Sequence, residues 1–202
     1  VPEIALTIPA VIVATVIIAS VVAWIVPPLK RGMMLIPWRV KSRIEIHRLL
    51  TNGWVHADIA HLAFNMITLW FFADEVDRAL GDVQFIFLYV SAVVVASIPT
   101  TIRKRNDLRY ASLGASGAVA AVMFSAILLY PNIKLALMFL PIPLPGWAWA
   151  IGYLAYSAGH ALWRSRDGIN HEAHFWGAVY GAILTFAFAP DRALNTIQQL
   201  LR

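Results

Sequence analysis

The sequence predicts an all-α, polytopic membrane protein, and three observations carry that prediction. Apolar residues (Ala, Val, Ile, Leu, Met, Phe, Trp, Tyr, Cys) make up 60% of the 202-residue chain and charged residues only 13%, about half the charged share of an ordinary soluble domain. The apolar residues fall into long runs, most of them near the ~20 residues that a helix needs to cross the hydrocarbon core. The charges collect in short stretches between those runs, where loops at a membrane surface would hold them.

Reading the apolar runs against the charge breaks gives six expected spans, at 4–26, 59–73, 83–99, 112–130, 144–163 and 172–189. The first lacks a cationic leader and a small-residue cleavage site, so it reads as a retained span. The second is short, and counts because Asp58, His61 and Asn65 are tolerable if they face protein or water. The stretch 27–55 mixes Trp38, Trp54, Met33 and Met34 with cations, as a long loop immersed in the membrane interface would. Pro141, Pro143, Pro145 and Gly146 break any helix before the fifth span and set it up as a separately movable element. The whole chain, 1–202, reads as a single domain with its core at about 48–189.

Of the 16 Lys and Arg residues, all but Arg78, Lys134, Arg192 and Arg202 fall in the first, third and fifth loops. The positive-inside rule therefore puts those loops in the cytoplasm and the N-terminus outside. The absence of cysteine excludes disulfides, Cys-ligated metals and a thiol nucleophile. A net charge of +5 would suit nucleic acid, but the cations form no basic domain, so the bilayer and not nucleic acid is the expected partner. His171-Glu172-Ala173-His174 looks like a zinc-protease signature, but its second His comes at i+3 where that signature needs i+4. No metal and no cofactor are expected.

Parity makes spans two, four and six run in one direction, each starting from an odd-numbered loop. His61 and Asn65 in the opening turns of span two, Ser116 near the start of span four and His174 in the first turn of span six then lie at similar depth. His61 and Asn65, at i and i+4, share a helix face. His174, Gly177 and Gly181, at i, i+3 and i+7, put an imidazole on the stripe of a G-x-x-x-G pair, which permits close approach of another helix. Gly114, Ser116, Gly117, Ala118, Ala120 and Ala121 offer a matching small-residue surface around a hydroxyl.

A Ser and a His within hydrogen-bond reach form the minimal acyl-transfer pair. The Ser116 N–H near its helix start, with the side chains of His61 and Asn65, could supply the donors that a developing oxyanion needs. Taken singly, each feature has a bland reading: Gly/Ala/Ser runs pack helices, and His61 and Asn65 could be interhelical hydrogen-bond partners. Together, at one depth, they favour a site. His56 reads as a structural histidine, and His47, His160 and His171 as interfacial or loop residues.

The run His56-Ala57-Asp58-Ile59-Ala60-His61-Leu62-Ala63-Phe64-Asn65-Met66, then Gly114-Ala115-Ser116-Gly117, then Ala173-His174-Phe175-Trp176-Gly177-Ala178-Val179-Tyr180-Gly181 resembles the rhomboid intramembrane proteases in order and spacing. The resemblance covers roughly residues 48–189 and implies a bundle of six transmembrane helices. It also implies Ser116 as nucleophile, His174 as general base, and His61 and Asn65 joining the Ser116 amide at the oxyanion. His47-Arg48 stands where the family often carries Trp-Arg, and Asp77 where it tends to carry Glu. Family members usually keep the N-terminus in the cytoplasm, opposite to the cation count. Substrates would be transmembrane segments of other proteins, cut in or near the bilayer, and the expected location is the prokaryotic plasma (inner) membrane. A catalytically silent rhomboid-like protein that binds membrane clients, and a transporter or metal-binding protein using the histidines, are the competing classes; oligomeric state is not legible.

Overall fold

The computed structural model describes residues 7–137, 140–163 and 167–200. Six longer helices form the body: α1 (Ile8–Ile25), α5 (Ile59–Leu80), α6 (Asp82–Lys104), α7 (Ser116–Leu129), α8 (Gly146–Trp163) and α9 (His171–Phe188). They fall where the six spans were expected; residues 4–6 of the first expected span lie outside the described ones. Three short helices, α2 (Pro27–Met33), α3 (Pro37–Arg43) and α4 (Arg48–Thr51), with a 3-10 turn at Asn52–Trp54, fold the stretch expected as an interfacial loop. An amphipathic α10 (Pro190–Leu200) closes the described chain. It tucks Ala193 and Thr196 inward, the Thr196 hydroxyl donating to the Leu128 carbonyl at the end of α7.

Local chemistry sets the helix starts. Thr7 accepts from the Ala10 N–H at the head of α1, Asp58 from His61 N–H at the head of α5 (2.8 Å), and Asn170 from Ala173 N–H at the head of α9, each side chain taking one of the donors that a helix leaves unpaired at its N-terminus. Gly81, at φ +88, turns α5 directly into α6.

Helix α7 is the axis of the bundle. Its residues are small or apolar on every side and most are buried, as a helix enclosed by others must be. At 14 residues it rises only about 21 Å, well short of the ~30 Å hydrocarbon core. Helices α1 and α6 are the two long and apolar enough, by length and composition, to cross a membrane among the described residues. Helices α5 and α9 carry polar and charged side chains that lower their hydropathy, and two of the polar ones lie against protein: Asn65 is 3% exposed, and Thr185 is fully buried.

Neither α10 nor a β-hairpin was expected. Two short strands, β1 (Lys134–Leu137) and β2 (Leu140–Pro145), pair antiparallel between α7 and α8, where the prolines were read only as helix breakers.

Candidate active site

Helices α5, α7 and α9 run in one direction, as their packing registers show. Gly177 and Gly181 of α9 face Gly117 and Ala121 of α7: a Cβ on Gly177 would stand 2.1 Å from the Gly117 carbonyl oxygen, and one on Gly181 2.2 Å from that of Ala121. One turn further on, the Thr185 hydroxyl donates to Ser125 Oγ at 2.8 Å. The numbering rises together on both helices, so they run parallel, in contact backbone to backbone. Helices α5 and α7 also run parallel: His61 lies against Gly114 at one end, and the Tyr130 hydroxyl donates to the Glu75 carbonyl at the other. Helix α6 is antiparallel to α9, with Thr100 beside Glu172 and Ser91 beside Tyr180.

Ser116 opens α7, in the turn whose N–H groups lack intrahelical acceptors. Three of the four residues before it are pinned by bonds from separate parts of the chain. Ser112 exchanges two backbone bonds with Leu35 (2.9 and 3.0 Å), Gly114 N–H donates to the Asn52 carbonyl (2.9 Å), and Ala115 N–H donates to His56 Nε2 (3.2 Å). Gly114 sits at φ +121, which disfavours any side chain, and a Cβ there would stand 2.6 Å from His61 Cε1. The glycine thus lets the His61 ring lie on the loop that presents Ser116.

His56 is fully buried. Because its Nε2 accepts from Ala115, its proton is on Nδ1, which faces Ser20 Oγ at 3.0 Å; Ser20 in turn donates to the Trp54 carbonyl at 3.1 Å. Trp24 Nε1 donates to the His56 carbonyl at 2.8 Å. This relay from α1 to the start of α7 works only with neutral imidazole, and burial, aided by the nearby His61, pushes the His56 pKa down to about 3. The supporting roles of Ser20 and Trp24 were not legible, since nothing in their spacing ties α1 to the loop at 112–115.

His174 lies in the first turn of α9. Its neighbour Ala173 abuts Gly117: the carbonyl oxygen of Ala173 is 3.1 Å from where a Gly117 Cβ would be. Ser116 and His174 are the chain neighbours of the two touching residues. The ring of His174 is stacked parallel to Tyr153 of α8, centroids 6.1 Å apart and planes 22° apart. Asn65 gives one of its two amide hydrogens to the His61 carbonyl on its own helix (2.9 Å).

Beside Ser116 lies a cavity of about 20 Å³, lined among others by Asn52, Ser97, Ser112 and Asn170, polar and large enough for a water molecule. Several of its lining residues, among them Asn52, Ser112 and Asn170, belong to the odd-numbered loops. The first of those loops is held by Arg48, only 2% exposed, whose guanidinium donates to Glu45 (2.5 Å) and to the carbonyls of Arg31 and Met34. Two other histidines differ from expectation. His171 is a helical residue 3% exposed rather than a loop residue, and its Nε2–H donates to Asp167 at 2.8 Å, with His160 of α8 beside it.

The three parallel helices α5, α7 and α9 thus carry His61 and Asn65, Ser116, and His174 at the same end of the bundle. The Rhomboid domain matches residues 43–191, and the chain belongs to the rhomboid family. It is 30% identical over 174 residues to the presenilin-associated rhomboid-like protein, mitochondrial, of Mus musculus, a match covering 78% of this chain and 42% of that protein. It is 31% identical over 160 residues to Rhomboid protein 1, mitochondrial, of Saccharomyces cerevisiae (77% and 44%). It is 32% identical over 158 residues to RHOMBOID-like protein 12, mitochondrial, of Arabidopsis thaliana (69% and 45%). The chain spans less than half the length of each of these relatives.

These names overturn the expected location in the prokaryotic plasma membrane, since each relative is a mitochondrial protein. The physical reason for the error is simple: hydropathy and flanking charge report that a segment crosses lipid, and carry no information on which organelle's lipid it crosses.

Proposed function

We propose that this chain is a serine-type endopeptidase of the rhomboid family, acting on peptide bonds in or near transmembrane segments of other proteins. Ser116 Oγ attacks the scissile carbonyl while His174 takes its proton. The imidazolium then gives that proton to the leaving amine, and water repeats the cycle on the acyl-enzyme. The unpaired N–H groups at the start of α7, with His61 and Asn65, stabilise the oxyanion. For Asn65 this requires its second amide hydrogen, or release of the first from the His61 carbonyl. The His56 relay and Gly114 fix the loop that sets the position of Ser116.

The observation that supports this reading is the parallel α7–α9 contact at Gly117 and Ala173, the chain neighbours of Ser116 and His174. The mitochondrial names of the relatives support a mitochondrial membrane as the site of action, testable by fractionating cells that express the tagged protein.

The chemical test is labelling of the purified protein with a fluorophosphonate, which reports an activated serine without a known substrate. Ser116→Ala is expected to abolish labelling and His174→Ala to slow it at least ~100-fold, each variant keeping its unfolding temperature. Labelling that survives in folded Ser116→Ala, or that folded His174→Ala leaves at full rate, rejects the assignment.

A further inference from the structure

The junction between α8 and α9 holds a group of side chains that the proposed chemistry does not use. One ring nitrogen each of His160 and His171 and a carboxylate oxygen of Asp167 all lie within 4.8 Å of one another. Asp167 Oδ2 stands 2.8 Å from His171 Nε2 and 3.5 Å from His160 Nδ1. The two imidazoles face each other with ring centroids 4.6 Å apart.

The geometry points to a divalent transition-metal site, His160–Asp167–His171, with zinc the best-matched ion. Two imidazole nitrogens and one carboxylate oxygen form a donor set that zinc accepts, with water completing the tetrahedron. Bonds of about 2.1 Å in a tetrahedron put ligand atoms roughly 3.4 Å apart. The widest separation here, up to 4.8 Å, needs a closure of about 1.4 Å. His171 is rigid, its side chain 3% exposed, while His160 and Asp167 are 31% and 34% exposed. The site therefore has one fixed ligand and two at the surface, through which an ion can enter.

Position gives the site its consequence. His160 belongs to the last turn of α8, and His171 begins α9 one turn before His174, with ring centroids 5.9 Å apart. A bound ion would fasten the end of α8 to the start of α9, so the helix whose Tyr153 stacks on His174 could no longer swing away from it. On the function proposed above, zinc would then slow substrate access; binding itself does not depend on that function.

The test is titration of the purified, chelator-stripped chain in detergent with zinc chloride, followed by calorimetry and by metal analysis after dialysis. Saturable uptake of one zinc per chain is expected, with a rise in unfolding temperature at saturating zinc. His160→Gln and Asp167→Asn, exposed positions chosen to leave folding intact, should each weaken that uptake at least ~10-fold. Ser116→Ala should bind zinc as the unmutated chain does, which separates this site from the protease reading. Absence of saturable uptake, or uptake that both ligand variants leave unchanged, overturns the proposal.

Discussion

Replacing Gly177 by alanine adds one methyl group at the closest approach of α7 and α9. The new Cβ would stand 2.1 Å from the Gly117 carbonyl oxygen, 2.7 Å from its carbon and 2.9 Å from its Cα. All three obstacles are backbone, so no side chain can swing aside. Ordinary contact needs about 3.3 Å, and the helices must part by roughly 1.2 Å at this turn. Overpacking of well-fitted interiors costs about 1–3 kcal/mol, and a rigid obstacle puts this case near the top of that range. For a chain of this size ~3 kcal/mol lowers the unfolding temperature by roughly 6–12 °C.

Function should suffer more than stability. Gly117 follows Ser116 directly and Gly177 lies one turn past His174, and misplacing reacting groups by ~1 Å can cost about 100-fold in rate. The assay pairs thermal unfolding in detergent with fluorophosphonate labelling at a temperature where the variant stays folded. Gly152→Ala in α8 is the control, since nothing lies within 4 Å of its added methyl and alanine is the better helix former by up to ~1 kcal/mol. Gly177→Ala that unfolds and labels like the unmutated chain would show that the helices are not in backbone contact, and the site argument would fail with it.

Two further outcomes follow from buried polar groups. His56 has a folded pKa of about 3 against 6.5 for a free imidazole, so between these values the unfolded chain binds the extra proton. Stability is then complete above about pH 6.5 and erodes as pH falls toward 3, by at most ~1.4 kcal/mol per unit. Unfolding curves at pH 7 and pH 4.5 should diverge less for His56→Gln than for the unmutated chain, and equal divergence would refute the buried neutral imidazole. Arg48→Ala strands Glu45 and two carbonyls around a buried position and should cost about 3 kcal/mol. Arg48→Lys should recover little, because an ammonium cannot reproduce the planar fork; full recovery by Lys would show that charge alone holds the loop.

What the sequence revealed about this fold was carried by periodic patterns. Apolar run length located α1 and α6, and the spacing of His174, Gly177 and Gly181 foretold the face that meets α7. Small residues at three and four positions apart are a direct statement about helix approach. Less legible were contacts between elements with no shared period. The partnership of Ser20 with His56 joins residues 36 apart, and the His160–His171 pairing depends on how the loop between them folds. The hairpin at 134–145 was hidden by its prolines. In a strand, alternate residues direct their backbone nitrogens to the same edge, so Pro141, Pro143 and Pro145 share one edge and leave the other for pairing, which an isolated two-stranded ribbon tolerates.

The shortness of α7 has an effect of its own. A helix about 9 Å shorter than the lipid slab cannot have both ends at the water boundary, so with its far end at one boundary its first residue would be recessed by about that distance beneath the opposite surface. The recess acts as a ruler. On the proposed function, bonds a turn or two inside the slab are brought to Ser116, while those at its midplane or out in the aqueous phase are out of register, so the cutting depth is set by the length of one helix.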